Sequence, residues 1–224
     1  MTSVRKFVKR ISHPFLNKWI QYYYRKPRVY RYDNIEATVH PEVFPPQLTL
    51  STKILLNFIQ PMDFQGKSFL ELGCGSGIIS LLASKKNAVV TASDINQIAL
   101  DYLVKSSEKN KLKVRCIHSN LFESISEKHF DYIIINPPFY PNKATNIKEK
   151  AWYCGENFEY FEALFEQLRA FLSEKNTTYM ILSEDCDFQK IVSIAQKNNI
   201  NMTSVVETKK MGELNTIYSI QNKL

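Results

Sequence analysis

Half of the glycines in this chain, three of six, fall within the seven residues Glu71-Leu72-Gly73-Cys74-Gly75-Ser76-Gly77. The run joins a strand-like stretch at 68–72 to a segment of helical spacing at 78–84. Glycine lets a strand turn directly into a helix without Cβ interference, and the helix then presents unpaired amides and its positive dipole end to whatever lies above the sheet. A turn of this kind requires a strand covered by helices, so it predicts an α/β fold. The rest of the chain agrees. Strand patterns fall at 68–72, 88–93, 113–117, 130–135, 178–183, 202–207 and 216–220, several of them apolar throughout, as strands covered on both faces are. Helical patterns fall between them at 78–84, 96–109, 158–172 and 187–197. The last two strands are joined by a polar stretch instead of a helix and are expected to pair antiparallel.

Upstream, Val29-Tyr30-Arg31-Tyr32, a polar Asp33-Asn34 turn and Ile35-Glu36-Ala37-Thr38-Val39 read as a short hairpin. Pro41, Pro45 and Pro46 predict an extended link. Ile54, Leu55, Phe58 and Ile59 then predict a helix capped by Ser51 or Thr52 and stopped at Pro61.

The charge is uneven. Residues 1–31 hold nine Lys and Arg and no acid, which gives +9, and the remaining 193 residues sum to −2 to make the formal net +7. Aromatics interleave with these cations, and Phe15, Trp19 and Tyr22 follow Val4, Phe7, Val8 and Ile11 at three- to four-residue intervals. This predicts a basic amphipathic helix interrupted at Pro14. Three readings of it stay open: packing on the domain, docking on RNA, and contact with an anionic membrane surface.

No apolar run approaches the roughly 20 residues of a spanning helix, and the N-terminus has no continuous apolar core of signal-peptide length. Cys74, Cys116, Cys154 and Cys186 lie 42, 38 and 32 residues apart, and the four histidines are scattered. These spacings match neither a compact disulfide framework nor a zinc site, so we expect a reducing, cytoplasmic compartment and no bound metal.

Two further signals follow the glycine turn in order. The second strand ends near Asp94, seventeen residues after Gly77, where a carboxylate can accept both hydroxyl protons of a ribose. The fourth runs into Asn136-Pro137-Pro138-Phe139. Successive prolines stiffen that turn, so the Asn136 side-chain carbonyl and the Pro137 backbone carbonyl can face one point, with Phe139 beside it to stack on a planar group. A planar amine held between two acceptors turns its lone pair out of its plane toward an electrophile, and positioning of this kind supplies most of the rate.

Glu71 with the GxGxG turn, Asp94 and Asn-Pro-Pro-Phe, with Val43-Phe44-Pro45-Pro46 upstream, together resemble the class I S-adenosylmethionine-dependent methyltransferases of small-domain type, over about 44–224. Those with Asn-Pro-Pro-aromatic modify amide or ring-attached amines and include release-factor glutamine and RNA amino-group methyltransferases. The resemblance implies a Rossmann-like, seven-stranded, mostly parallel sheet with its last strand antiparallel, in a domain at 48–224 behind a basic helical and hairpin extension at 1–47. It implies S-adenosyl-L-methionine as cofactor, with Gly73, Gly75 and Gly77 lining the methionine moiety and Glu71 at the base of the loop. Asp94 would hold the ribose and Ile95 pack on adenine. Asn120 stands where relatives carry an Asp on the adenine amine, and Asn136 also borders the cofactor. Asn136, Pro137 and Phe139 would be the catalytic set. Residues 140–155, with Lys143, Lys148, Lys150, Trp152 and Tyr153, are expected to form a lid, and 44–52 to close the other side.

The expected activity is N-methylation of a planar conjugated amine. An RNA base, reached through residues 1–31 and the lid, is favoured over a protein glutamine or a small molecule. Two readings of other classes use the same features: an NAD-dependent oxidoreductase, and a non-catalytic module that binds RNA or an anionic surface.

Overall fold

The computed structural model describes residues 25–223, and the expected basic helix before residue 25 lies outside them. Strands β1 (Arg28–Tyr32) and β2 (Ile35–Val39) form the expected hairpin. Asp33 and Asn34 take φ of 44° and 59°, the left-handed pair that a two-residue hairpin turn needs and that Asn and Asp tolerate. Among the described residues, the outer edge of β2 pairs with no further strand. It is satisfied by side chains of helix α3 (Gln97–Asn110): Glu36 N donates to Asn110 Oδ1 at 3.0 Å, Asn110 Nδ2 donates to Glu36 O at 2.7 Å, and Thr38 N donates to Ser106 Oγ at 3.0 Å.

Two details of the linker differ from expectation. Pro46 opens a single 3-10 turn, Pro46–Leu48, because its fixed φ suits the first position of a helical turn as well as an extended link. Helix α1 (Leu50–Ile59) starts after Thr49, with no side-chain cap, and Ser51 and Thr52 are buried inside its first turn.

The main sheet holds β3 (Ser68–Leu72), β4 (Val89–Asp94), β5 (Val114–His118), β6 (Tyr132–Ile135), β7 (Thr177–Ser183), β8 (Ile200–Lys210) and β9 (Glu213–Asn222), in the order β5-β4-β3-β6-β7-β9-β8. Pairing is parallel from β5 to β7; β9 pairs antiparallel with both β7 and β8, so it alone runs against the rest. This is the expected Rossmann-like sheet with its last strand reversed. Alternate residues explain the unbroken apolar strands. Leu70, Leu72, Ile133 and Ile135 pack beneath α5 (Glu159–Leu168) and α6 (Phe188–Lys197), while Phe69 and Ile134 pack beneath α1, α2 (Ile78–Lys85) and α3.

The helical pattern expected through 172 stops at Leu168 and closes as a 3-10 turn, Arg169–Phe171, with Phe161, Leu164, Phe165 and Leu168 fully buried. Both final strands run longer than expected. Their joining turn is Met211-Gly212 alone, at φ of 49° and 75°, so the polar stretch read as a loop is mostly a protruding hairpin. Among the described residues no helix is long and apolar enough to cross a membrane, and no cluster of His, Cys, Asp and Glu could hold a metal ion.

Candidate active site

The sheet switches direction between β3 and β6: the chain steps from β3 outward to β5 and returns to β6 on the other side of β3. Loops leaving the C-terminal ends of those strands diverge there, and the crevice they leave is where α/β sheets bind ligands. A cleft of about 810 Å³ opens at that place. Glu71, Gly73, Gly75, Asp94, Ile95, Asn120, Asn136, Pro137 and Phe139 all line it, so one surface gathers nearly every residue singled out in the sequence.

Gly77 is the exception and does not line the cleft. It precedes α2 at φ 68°, and a Cβ built on it would clash with Leu103 Cδ1 of α3. Its absent side chain lets two helices approach beneath the loop, so packing and turning account for a glycine there. Gly75 faces the cleft, its nearest outside atom Phe44 Cβ at 3.8 Å from a built Cβ.

Asp94 fastens the loop. Gly75 N donates to its Oδ2 and Asn96 N to its Oδ1, both at 2.8 Å. Burial raises its pKa above the ordinary carboxylate value, and these amides with the Ile95 amide pull it partly back. Each carboxylate oxygen keeps a lone pair for a further donor. Glu71 lies deeper: Ser80 N donates to its Oε2 at 2.8 Å and the Ser80 hydroxyl to the same oxygen. Burial, against those two bonds, pushes its pKa up to about 8.

The sign of that shift sets a pH dependence. The folded state prefers protonated Glu71, so the preference is fully present below the ordinary value of 4.5 and is lost as pH rises toward about 8. Between pH 5 and 8 the thermal midpoint of the protein is expected to fall by several degrees more than that of Glu71→Gln, which binds no proton there. Parallel melting curves of the two would refute the shift.

Asn120 Nδ2 donates to Glu123 Oε1 at 2.7 Å. A carboxylate only accepts, so the amide nitrogen is fixed there and the Asn120 carbonyl stays free to accept, as its place beside an adenine amine would require. On the other bank, Asn136 Nδ2 reaches Thr52 Oγ1 at 3.5 Å, and the Asn136 Oδ1 and Pro137 O atoms have no hydrogen bond among the described residues. Thr52, expected as a cap, instead steers the Asn136 amide.

Residues 140–155 form a closed loop. Tyr140 N donates to Trp152 O and Cys154 N to Tyr140 O, at 3.1 and 2.9 Å, and the short helix α4 (Ile147–Lys150) lies between. Trp152 packs against Phe44 with centroids 4.7 Å apart and the rings tilted by 49°, and Lys148 pairs with Glu42 at 3.8 Å, so this segment and the 42–44 strip meet over the glycine loop. Lys143, Lys150, Trp152 and Tyr153 line the cleft, whereas Lys148 is spent on Glu42. The lining residues that went unread in the sequence include Tyr160 in the first turn of α5, and Glu213 and Asn215 at the start of β9.

Comparison with known proteins gives the following. Residues 34–210 match the family model described as methyltransferase small domain. A chain of Methanocaldococcus jannaschii assigned as a protein N5-glutamine methyltransferase is 34% identical over 110 residues, 49% of this chain and 53% of that one. Ribosomal RNA small subunit methyltransferase C of Photorhabdus laumondii is 31% identical over 122 residues, 53% of this chain and 35% of that one. This chain thus spans about half or less of these relatives' length. Among solved structures, the Thermus thermophilus 16S rRNA N2 G1207 methyltransferase, in complex with AdoMet and guanosine, superposes with a TM-score of 0.61 at 20% identity, over 89% of this chain and 50% of that one.

Proposed function

The chain belongs to the methyltransferase small-domain family, and from that premise we propose that it transfers the methyl group of S-adenosylmethionine to the amine of a planar conjugated group, with an RNA base amine as the substrate. The observation that carries this reading is the pair of unengaged acceptors, Asn136 Oδ1 and Pro137 O, at the cleft. The cofactor fits the residues present: Asp94 retains lone pairs for a ribose diol, Asn120 keeps a free carbonyl, Ile95 offers an apolar face, and a Cβ at Gly73 would meet nothing within 4 Å. When bound, S-adenosylmethionine supplies a methyl on a sulfonium, which departs as a neutral thioether.

The chain's own work is orientation. Asn136 Oδ1 and Pro137 O each accept one N–H of the target amine, which draws electron density onto nitrogen and aims its lone pair out of the plane toward the methyl. Phe139 holds the ring system flat. Nitrogen forms the new bond and becomes cationic, and its acidified proton leaves to solvent, so no strong base is needed. Family membership argues against the oxidoreductase reading of the same glycine turn. On our reading residues 48–224 carry the chemistry and residues 1–47 form the basic extension.

RNA is favoured because the +9 segment precedes the domain and Lys143 and Lys150 line the cleft. The four cysteines are free thiols, which fits a reducing cytoplasm. Tritiated methyl from S-adenosylmethionine should enter the nuclease-sensitive fraction of a cell extract; label lost only to protease would move the substrate to protein, and no label at all would leave a binding module. Deleting residues 1–24 removes five cations and should flatten the salt dependence of RNA affinity, by up to about 3.5 in log–log slope if each meets a phosphate. An unchanged slope would exclude RNA docking by that segment.

A further inference from the structure

We infer that Glu213, held by Ser183 and Asn215, is an acceptor that selects a target whose amine stands next to a second N–H donor, as on the Watson–Crick edge of guanine. The inference rests on the RNA reading above and goes on to name the base.

Because β9 runs against its neighbours, its first residues lie at the sheet edge where the parallel strands end. Asn215 is opposite Ser183, the last residue of β7, and Ile135 of β6 is opposite Met180 of β7, three residues earlier. Asn136-Pro137-Pro138 therefore leaves β6 toward the level of Ser183 and Asn215, two strand spacings from Asn215, or roughly 10 Å. Side chains reaching in from both strands, each with a hydrogen bond of about 3 Å, can meet adjacent donors on one base edge.

The polar atoms there are committed in one direction. Ser183 Oγ donates to Glu213 Oε1 at 2.9 Å and Asn215 Nδ2 donates to the same oxygen at 3.1 Å. Asp185 N donates in turn to Ser183 Oγ, so the serine is held as a donor to Glu213. The carboxylate can only accept, which fixes Asn215 with its amide nitrogen toward Glu213. Asn215 Oδ1 is then left without a hydrogen bond although the residue is only 1% exposed, and Glu213 Oε2 has none among the described residues. Asn215 Oδ1 is closed to solvent, so the acceptor that an arriving N–H can meet is Glu213 Oε2, on a carboxylate that Ser183 and Asn215 hold in place through Oε1. Both residues line the cleft that holds Asn136.

Acceptors at this place discriminate. Adenine, cytosine and a glutamine amide each present an acceptor beside their amine and would be repelled by Glu213; guanine presents N1–H and is attracted. Glu213 thus adds specificity to an amine clamp that by itself reads only amine geometry.

The test is equilibrium binding of the full chain, with S-adenosylhomocysteine present, to oligouridylates carrying a single guanine or a single 2-aminopurine. The second base keeps the amine and exchanges N1–H for a bare acceptor. Wild-type protein is expected to bind the guanine oligomer at least tenfold more tightly, and Glu213→Gln, which can donate to the bare nitrogen, should bring the ratio to unity or below. Equal binding of both oligomers by wild-type protein, or a ratio untouched in a folded Glu213→Gln, would overturn the inference. Should that variant fail to fold, the wild-type ratio decides alone. Discrimination without methyl transfer would sink the enzymatic reading and leave the Glu213 acceptor standing.

Discussion

Replacing Asn136 with alanine is expected to lower kcat by two to three orders of magnitude while leaving the Kd for S-adenosylmethionine within a few-fold of wild type. Removing a single preorganised hydrogen-bonding group from a reacting centre costs about 10²- to 10³-fold when that group acts chiefly in the transition state. Asn136 fits the description. Its Oδ1 is unengaged, and its nitrogen makes one contact, with Thr52 at 3.5 Å. Alanine should therefore leave the fold intact. Single-turnover methyl transfer, with cofactor affinity measured by calorimetry on the same preparation, separates the two quantities. Turnover equal to wild type would remove the amine-clamp mechanism, and a cofactor affinity falling in step with turnover would place Asn136 in the cofactor site instead. Thr52→Val offers a milder companion, since it frees the Asn136 amide to rotate without deleting the acceptor.

How much of this was readable in the chain follows from the range of the interactions involved. The glycine turn, Asp94 and Asn-Pro-Pro-Phe are local devices: each is a strand end followed by residues whose backbone preferences are written in their own types, and the structure gathers them in one cleft. Gly77 shows where local reading stops. Its spacing matches its two partners, but what it faces is Leu103, 26 residues away on α3, and only packing decides that. Thr52 looks like a helix cap by type and position, yet the helix begins earlier at Leu50 and its hydroxyl meets Asn136 across 84 residues. Glu213 and Asn215 were hidden for a topological reason. They lie in a polar stretch that reads as loop, because alternation fades where β8 and β9 extend past the sheet. Their position at the cleft depends on β9 entering between β7 and β8. Strand order of that kind has no local signature.

Asp94→Ala is expected to raise the Kd for S-adenosylmethionine by about a hundredfold and to leave kcat at saturating cofactor within a few-fold of wild type. Hydrogen bonds to a charged group contribute roughly 1.5–3 kcal/mol each, and about 1.4 kcal/mol is a factor of ten, so losing one to two such bonds to the ribose accounts for the figure. A second effect has the same sign. The carboxylate ties Gly75 N to Asn96 N, both at 2.8 Å, so its removal loosens the glycine loop against the start of α3. Asp94→Asn separates the two contributions. Its single oxygen can retain one of the two amide bonds, and its nitrogen must then face the other amide, so it keeps the volume and half of the tether while losing the charge. If the ribose contacts dominate, Asn should weaken binding nearly as far as Ala. If the tether dominates, Asn should recover much of the affinity. Calorimetric titration of S-adenosylmethionine into the three proteins reads this directly, and a Kd unmoved by Asp94→Ala would remove Asp94 from the cofactor site.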